Sequence, residues 1–106
     1  MLAQEACAEV AKPEWWNDEG LKALSARVVR AAPDDGAAHR MRAVVLSGQY
    51  DLVRYDHAWE AGPRSAAELR EAATYCDRAA AQCPTPVVKA SLADKAELCR
   101  RRADAM

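Results

Sequence analysis

The sequence contains no phenylalanine and no isoleucine, and only two threonines among its 106 residues. Because β-strands are enriched in β-branched and aromatic side chains, this shortage argues against an ordinary β protein. The apolar fraction is 51%, but 25 of those residues are alanine, and leucine and valine contribute eight each. Alanine, leucine, arginine, glutamate and lysine are the residues that cost least in a helix. The composition therefore predicts a single alanine-rich, all-α domain over residues 1–106.

The chain also lacks an excess of charge of either sign. It has 15 basic and 16 acidic residues, which gives a formal net charge of -1. Disordered chains combine few large apolar residues with a high net charge, so this balance favours a folded domain. The one basic run, at residues 100–102, falls near the end of a predicted helix, where the helix dipole favours cations. We therefore expect no nucleic-acid partner, since such proteins usually carry a basic stripe.

No stretch approaches the run of about 18 apolar residues that is typical of a membrane-spanning helix. Residues 1–12 contain Glu5, Glu9 and Lys12 and have no long apolar core, which is not typical of a secretory signal. They are not rich in arginine or serine either, as a transit peptide would be. We therefore expect an intracellular protein without a membrane span, in the cytoplasm or in the interior of an organelle.

Prolines and glycines divide the chain into five segments with the apolar spacing of helices, so we expect about five helices. In segments two and three, acidic residues or asparagine stand where they can cap the first backbone N–H groups and complement the helix dipole. The first three segments cover residues 2–11, residues 17–32 with Asn17 as the N-cap, and residues from Asp34 or Asp35 to Gly48.

Segments four and five have the clearest start signals. Ser65 and Glu68 fit a capping box, and Thr85 followed by Pro86 places an N-cap before a proline in the first helical position. We expect the apolar stripe of each segment to face the core. For segments two to five in order, the stripes are Leu21, Leu24, Val28 and Ala31; Ala37, Met41, Val44, Val45 and Gly48; Leu69, Ala72, Ala73, Cys76, Ala79, Ala80 and Cys83; and Val88, Leu92, Ala96, Cys99 and Ala103.

Residues 50–63, with the sequence YDLVRYDHAWEAGP, interrupt the helical pattern and predict an inserted loop. This stretch holds Tyr50, Tyr55 and Trp59, which are half of the aromatic residues of the chain. Loops of this length are often functional when they occur in a compact domain. Aromatic side chains with a polar atom are also common anchors at protein interfaces.

Segment four carries a spacing that is known from a family of helical repeats. Ala72, Cys76 and Ala79, followed by Pro84, resemble the second helix of the tetratricopeptide repeat, although the family's Trp-Leu-Gly-Tyr set is absent from the first helices. The resemblance implies antiparallel helix–turn–helix pairs that form a short solenoid, here with the aromatic loop inserted, and a role in binding proteins. In segment three, Ala43 and Leu46 can occupy the small and aromatic positions of the family's first helix. Ala96 and Cys99 in segment five, and Cys7 and Val10 in segment one, can occupy the same two positions.

Four cysteines are present, and they leave two interpretations open. Cys76 and Cys83 are seven residues apart, about 10 Å along a helix, which is too far for a disulfide between them. Each could instead meet Cys7 or Cys99, and four cysteines allow three full pairings. The absence of a C-x2-C motif argues against a zinc site. The cysteines are therefore either small core residues or the basis of a redox or thiol function.

The two histidines, His39 and His57, give little support to catalysis. A Cys–His nucleophile pair is conceivable with His57 as base, but the sequence has no local nucleophile motif, no glycine-rich loop and no HExxH. A pigment or cofactor site at His39 or His57 rests on nothing beyond the presence of these residues. We therefore expect no enzyme activity, no metal and no cofactor.

The sequence predicts a protein–protein interaction module, most simply an accessory or scaffold subunit of a larger assembly. The scarcity of large apolar side chains favours a partner that completes the core. Trp15 and Trp16 are adjacent and cannot share one helix face, so they either fill the core or anchor a partner. We expect partner contacts from Trp15, Trp16, Tyr50, Tyr55, His57 and Trp59, with Arg40, Arg42 and Arg54 as charged contacts.

Overall fold

The structure is a computed structural model that describes the backbone of residues 17–54 and 57–106 and the side chains of residues 17–50 and 61–106. Helices dominate this part of the chain, so the predicted all-α class is confirmed. Segment one, the first of the five predicted helices, lies outside the described residues. The elements are α1 (Asp18–Ala31), α2 (Gly36–Ser47), β1 (Asp51–Arg54), β2 (His57–Glu60), α3 (Ala66–Ala81) and α4 (Pro86–Asp104).

Local capping determines where the helices begin and end. Asn17 and Asp35 each accept a backbone N–H bond at the start of α1 and α2, as the sequence predicted. Ser65 and Glu68 form the predicted capping box of α3, with reciprocal bonds of 3.1 and 3.0 Å. Gly48 ends α2 with a φ of 71°, a left-handed conformation that glycine adopts without a steric penalty.

The inserted segment contains a short β-hairpin where the sequence predicted an irregular loop. β1 and β2 pair antiparallel, with Asp51 opposite Glu60 and Arg54 opposite His57. The N–H of Ala61 donates to the carbonyl of Tyr50 at 3.4 Å and continues the pairing toward the helices. The shortage of β-branched residues concerns the whole chain, and it does not prevent two four-residue strands from forming.

The four described helices pack in sequence order, and α3 lies between α2 and α4. Across the α2–α3 and α3–α4 interfaces, residue numbers rise along one helix while they fall along the next, so these neighbouring helices are antiparallel. The pairs that show this are His39 with Tyr75 and Arg42 with Glu71 between α2 and α3, and Arg70 with Asp104 and Asp77 with Arg100 between α3 and α4. Consequently α2 and α4 run in the same direction on either side of α3.

The core is built mainly from alanine and cysteine. Such small side chains let helix backbones approach closely, which explains the alanine content of α3 and α4. The predicted inward stripes of these two helices are confirmed, except that Cys83 and Val88 are only half-buried. The main cluster comprises Ala43, Leu46, Ala72, Ala73, Cys76, Ala96 and Cys99.

The predicted inward stripes of α1 and α2 are largely wrong. In α1 the buried residues are Ser25 and Val29, whereas Leu21, Leu24 and Val28 of the predicted stripe are only half-buried and Ala31 is exposed. In α2 Val45 is buried as predicted, but Ala37 and Val44 are exposed. Alanine occurs on several faces of α2, which weakens the periodicity that a stripe assignment needs. The buried residues of α2 are Ala38, His39, Ala43, Val45, Leu46 and Ser47.

Candidate functional site

A buried arginine joins the start of α1 to the end of α2. The side chain of Arg64 is 2% exposed, and its Nη1 and Nη2 donate to the two carboxylate oxygens of Asp18 at 2.8 and 2.7 Å. Nη2 also donates to the carbonyl of Val45 at 2.8 Å, and Nε to that of Leu46 at 3.1 Å. Carbonyls in the last turn of a helix have no partner within the helix, and the dipole there favours a cation. Arg64 therefore supplies hydrogen-bond donors to the carbonyls at the C-terminal end of α2.

Tyr50 belongs to the same cluster, since its hydroxyl donates to Asp18. The hydrogen bonds from Arg64 are the main reason that the pKa of Asp18 is lowered from 3.8 to about 2. Burial, followed by the adjacent Asp18, raises the pKa of Tyr50 to about 12. In the neutral range Asp18 therefore stays ionised and Tyr50 stays protonated. A carboxylate with such a low pKa is a poor general base. The cluster fits a structural role.

Lys22 and Glu68 extend this network to α3. The ammonium of Lys22 lies 2.8 Å from the Glu68 carboxylate, which raises the pKa of Lys22 and lowers that of Glu68. Glu68 also accepts from the backbone N–H of Ser65. The ion pair thus connects the first turns of α1 and α3.

A second polar cluster lies among α1, α2 and α3. Arg42 Nη1 donates to the Ser25 hydroxyl at 2.9 Å and to a backbone carbonyl of α1 at 2.7 Å. His39 is 3% exposed, and its ring centroid lies 5.9 Å from that of Tyr75. Within the described part of the chain, His39 Nδ1 and Arg42 Nε have no hydrogen-bond partner. Both residues make their contacts inside the helix bundle.

Two of the cysteines are buried between α3 and α4. Burial, with Cys99 as the second cause, raises the pKa of the Cys76 thiol to about 11, and burial also raises that of Cys99. Cys83 is half-buried, and its thiol donates to the carbonyl of Thr85 at 3.7 Å. Since the thiolate is the reactive form, the environment of Cys76 and Cys99 suppresses their nucleophilicity. Cys7 lies outside the described residues.

An open groove runs between α2 and α4 above α3. It consists of two adjoining concavities of about 560 and about 190 Å³, which share Arg40, Val44 and Leu92. Val44 and Leu98 on its walls are 39% and 46% exposed, although both are large and apolar. We call this surface the α2–α4 groove. Its described lining comprises Leu21, Gly36, Ala37, Arg40, Met41, Ala43, Val44, Val45, Ser47, Gln49, Cys76, Ala79, Gln82, Cys83, Pro84, Val88, Leu92, Lys95, Leu98, Cys99 and Arg102.

The charged side chains among this lining are all basic: Arg40 from α2, and Lys95 and Arg102 from α4. Arg102 Nη1 donates to the carbonyl of Ser47 at 3.1 Å, which joins the last turn of α4 to the end of α2. Arg40 and Lys95 both precede this contact by seven residues, or about 10 Å of helix. Each therefore lies about two turns from the contact along its own helix.

Arg40 and Lys95 are exposed cations on the walls of the groove. No described carboxylate lies within ion-pair distance of either of them, although Arg64, Arg70 and Arg100 each have such a partner. The groove thus combines an apolar surface with basic groups that are available to a ligand.

Of the predicted contact residues, Arg40, Arg42 and Tyr50 have described side chains, and these three do not share one site. Arg40 lies in the groove, whereas Arg42 and Tyr50 contact Ser25 and Asp18 inside the bundle. Arg54 and His57 occupy paired positions of the hairpin, and Trp59 lies opposite Leu52, but their side chains fall outside the description. Trp15, Trp16 and Tyr55 also lie outside the described residues.

Several groove residues escaped the sequence analysis. Lys95 and Leu98 were not predicted as contacts, Arg102 was interpreted only as part of the basic run at a helix end, and Met41 and Val44 were assigned to the core. The available signal was that α2 carries more apolar positions than one inward face can hold, since residues 37, 38, 41, 43, 44, 45 and 46 are all apolar. Such an excess indicates a second apolar face.

No protein-family model, curated protein or solved structure matches the chain. None of the described helices is long and apolar enough to cross a membrane. Over residues 17–54 and 57–106, no group of three or more histidine, cysteine, aspartate or glutamate side chains is arranged to hold a metal ion. The α2–α4 groove is the candidate functional site of the described residues.

Proposed function

We propose that this chain is a non-enzymatic protein–protein interaction module, an accessory or scaffold subunit that binds its partner in the α2–α4 groove. The observation that carries the proposal is that Ala37, Met41 and Val44 line the groove instead of the core. Leu98 extends this apolar surface from the other wall. An exposed apolar patch that is rimmed by polar residues is typical of an interaction site.

The resemblance to tetratricopeptide repeats supports the same surface. In that interpretation α2 and α4 are the first helices of successive units, and α3 is the second helix between them. The two walls of the groove would then be first helices, and the groove would be the concave surface of the short solenoid. The antiparallel packing of α2, α3 and α4 is compatible with such units.

A cysteine-dependent redox function has weaker support. Such a function needs an accessible thiol with a lowered pKa, whereas burial raises the pKa of Cys76 to about 11. Cys76 and Cys99 fit the role of small core residues between α3 and α4.

The test compares two variants of the full chain that add the same charge to α4. Leu98→Glu places a carboxylate in the groove, while Val87→Glu places one at a residue that is 79% exposed and outside the groove lining. Affinity isolation from the native source, with quantitative mass spectrometry, should yield a partner that Leu98→Glu loses and Val87→Glu retains. Circular dichroism checks that both variants fold.

Two results would contradict the proposal. A partner that both variants retain would exclude the groove as its binding site. The absence of any specific partner, together with a sharply melting monomer of the isolated chain in sedimentation and thermal unfolding, would argue against a subunit of a larger assembly.

A further inference from the structure

We infer that the partner segment is an acidic amphipathic helix, whose apolar face contacts Val44 and Leu98 and whose carboxylates pair with Arg40, Lys95 and Arg102. The inference rests on the proposed function and adds the chemistry of the partner.

The charge of the groove is opposite to that of the chain. The whole sequence has a net charge of -1, yet the described lining of the groove holds three cations and no carboxylate. Arg40 and Lys95 project from an apolar surface and form no ion pair with a described residue. Charge-assisted hydrogen bonds at the edge of an apolar patch are stronger than bonds between neutral groups. Complementary potential also selects among partners, which favours a segment with carboxylates.

The spacing of the cations constrains where those carboxylates stand. Lys95 and Arg102 lie on α4 two helical turns, or about 10 Å, apart, and Arg40 lines the opposite wall of the groove. On a helix that follows the groove, positions i and i+7 are separated by the same distance. Leu98 lies between Lys95 and Arg102, and Val44 lies one turn from Arg40, so both would meet apolar residues at i+3 and i+4 of the partner helix.

The shape of the groove favours a helix as the occupant. Its walls are two helices that run in the same direction, and the alanine and cysteine side chains of α3 form its floor. Amphipathic helices bind in apolar grooves of this kind through anchors at i, i+3, i+4 and i+7. An occupant of this kind would cover Val44 and Leu98, which the described residues leave exposed.

The experiment selects peptides without assuming a sequence. A phage-displayed library of helix-forming peptides of about 18 residues is selected on the immobilised full chain and counter-selected on the Leu98→Glu variant. We expect enriched peptides to carry aspartate or glutamate at two positions seven apart, with leucine, valine or methionine between them.

A matched pair of lysine variants then tests the ion pairs. Lys95 and Lys89 both lie on α4, but only Lys95 lines the groove. The affinity of an enriched peptide for the full chain, measured by fluorescence anisotropy, should fall at least about tenfold in Lys95→Glu. It should stay within about twofold in Lys89→Glu, which changes the net charge equally. A peptide with lysine in place of its acidic residues should bind Lys95→Glu more tightly than it binds the unchanged chain.

Each other outcome overturns the inference in a distinguishable way. Neutral or basic peptides that bind the full chain and fail on Leu98→Glu would preserve the groove but refute an acidic partner. Acidic peptides that bind only after Glu5 and Glu9 are changed to lysine would show that residues 1–16 of this chain occupy the groove. A library that yields no groove-dependent peptide would refute the helix, while the comparison of Leu98→Glu with Val87→Glu still decides the proposed function.

Discussion

Asp18 and Arg64, 46 residues apart in the chain, form a two-point ion pair in which one guanidinium binds both oxygens of one carboxylate. The same guanidinium contacts the carbonyls of Val45 and Leu46. The start of α1 and the end of α2 therefore depend on one side chain. Loss of Asp18 would leave the buried charge of Arg64 without its counterion, and loss of Arg64 would leave the carbonyls of Val45 and Leu46 without this donor. Either loss is more costly than the loss of a surface ion pair.

Replacement of Asp18 by asparagine should lower the free energy of unfolding by about 3 kcal/mol at pH 7, because Arg64 would keep its buried charge without a counterion. The pKa of Asp18 is about 2 in the folded chain and 3.8 ordinarily, so its charge stabilises the fold above about pH 4. That contribution is lost as the pH falls from about 4 to about 2. Urea unfolding at pH 7 and between pH 5 and 2 measures both effects.

Asp34 supplies the control for this experiment, because it is exposed in the turn before α2. Asp34→Asn should change stability by less than about 0.5 kcal/mol at every pH. If the stability difference between the unchanged chain and Asp18→Asn were the same at pH 2.5 as at pH 7, the ion pair would not be the cause.

Gly48→Ala should destabilise the chain by about 1–2 kcal/mol. The φ of 71° at this position penalises any Cβ, and the added carbon would lie 3.1 Å from Cγ of Arg64. Gly36→Ala is the matched control, since its Cβ would meet only the flexible Gln82 side chain at 3.4 Å or more and alanine favours the helix. Thermal unfolding should show Gly36→Ala equal to or more stable than the unchanged chain. Equal losses in both variants would contradict this explanation.

Ser65 and Thr85 are both N-caps, but only Ser65 bonds the helix that it precedes. Ser65→Ala should cost about 1 kcal/mol, because the hydroxyl accepts from the N–H of Glu68 at 3.1 Å. Thr85 makes no side-chain capping bond, so Thr85→Ala should cost less than about 0.5 kcal/mol. Chemical denaturation of the two variants compares them directly. A larger loss in Thr85→Ala would show that the capping assignment is wrong.

The three described thiols should differ in their reaction with a disulfide reagent. In a Cys7→Ser chain at pH 8, Cys83 should react first because it is half-buried near the chain surface. Cys76 and Cys99 should react only as fast as the fold opens, since both are buried and their pKa values are raised. Mass spectrometry of the labelled peptides gives the order. Rapid labelling of Cys76 in the folded chain would revive the redox interpretation.

The sequence was informative where structure depends on neighbouring residues and less so where it depends on distant ones. Asn17, Ser65 and Gly48 act within a single helix turn, so the helix ends could be predicted. The inward face of α2 could not be predicted, because it depends on how α1 and α3 pack and on bonds from Arg64, which lies 18 and 19 positions beyond the two residues whose carbonyls it binds. Alanine-rich helices offer little periodicity to compensate.

The candidate site was harder to predict than the fold. Arg40 was identified because basic residues are common contacts, but nothing local distinguishes it from Arg42, which lies inside the bundle. Lys95 and Leu98 belong to the groove only because α4 runs parallel to α2 across α3. That arrangement results from the packing of three helices, which no short stretch of sequence encodes.

The burial pattern of the helices has a consequence for the order in which the chain opens. α3 buries six residues along its length, whereas α1 buries only Ser25 and Val29. Release of α1 breaks the Asp18 contacts to both Arg64 and Tyr50, and Tyr50 lies at the base of the hairpin. In hydrogen exchange, the amides of α1 and of the hairpin should therefore open as one cooperative unit while α3 stays protected. The groove, with its floor on α3, would persist through this partial unfolding.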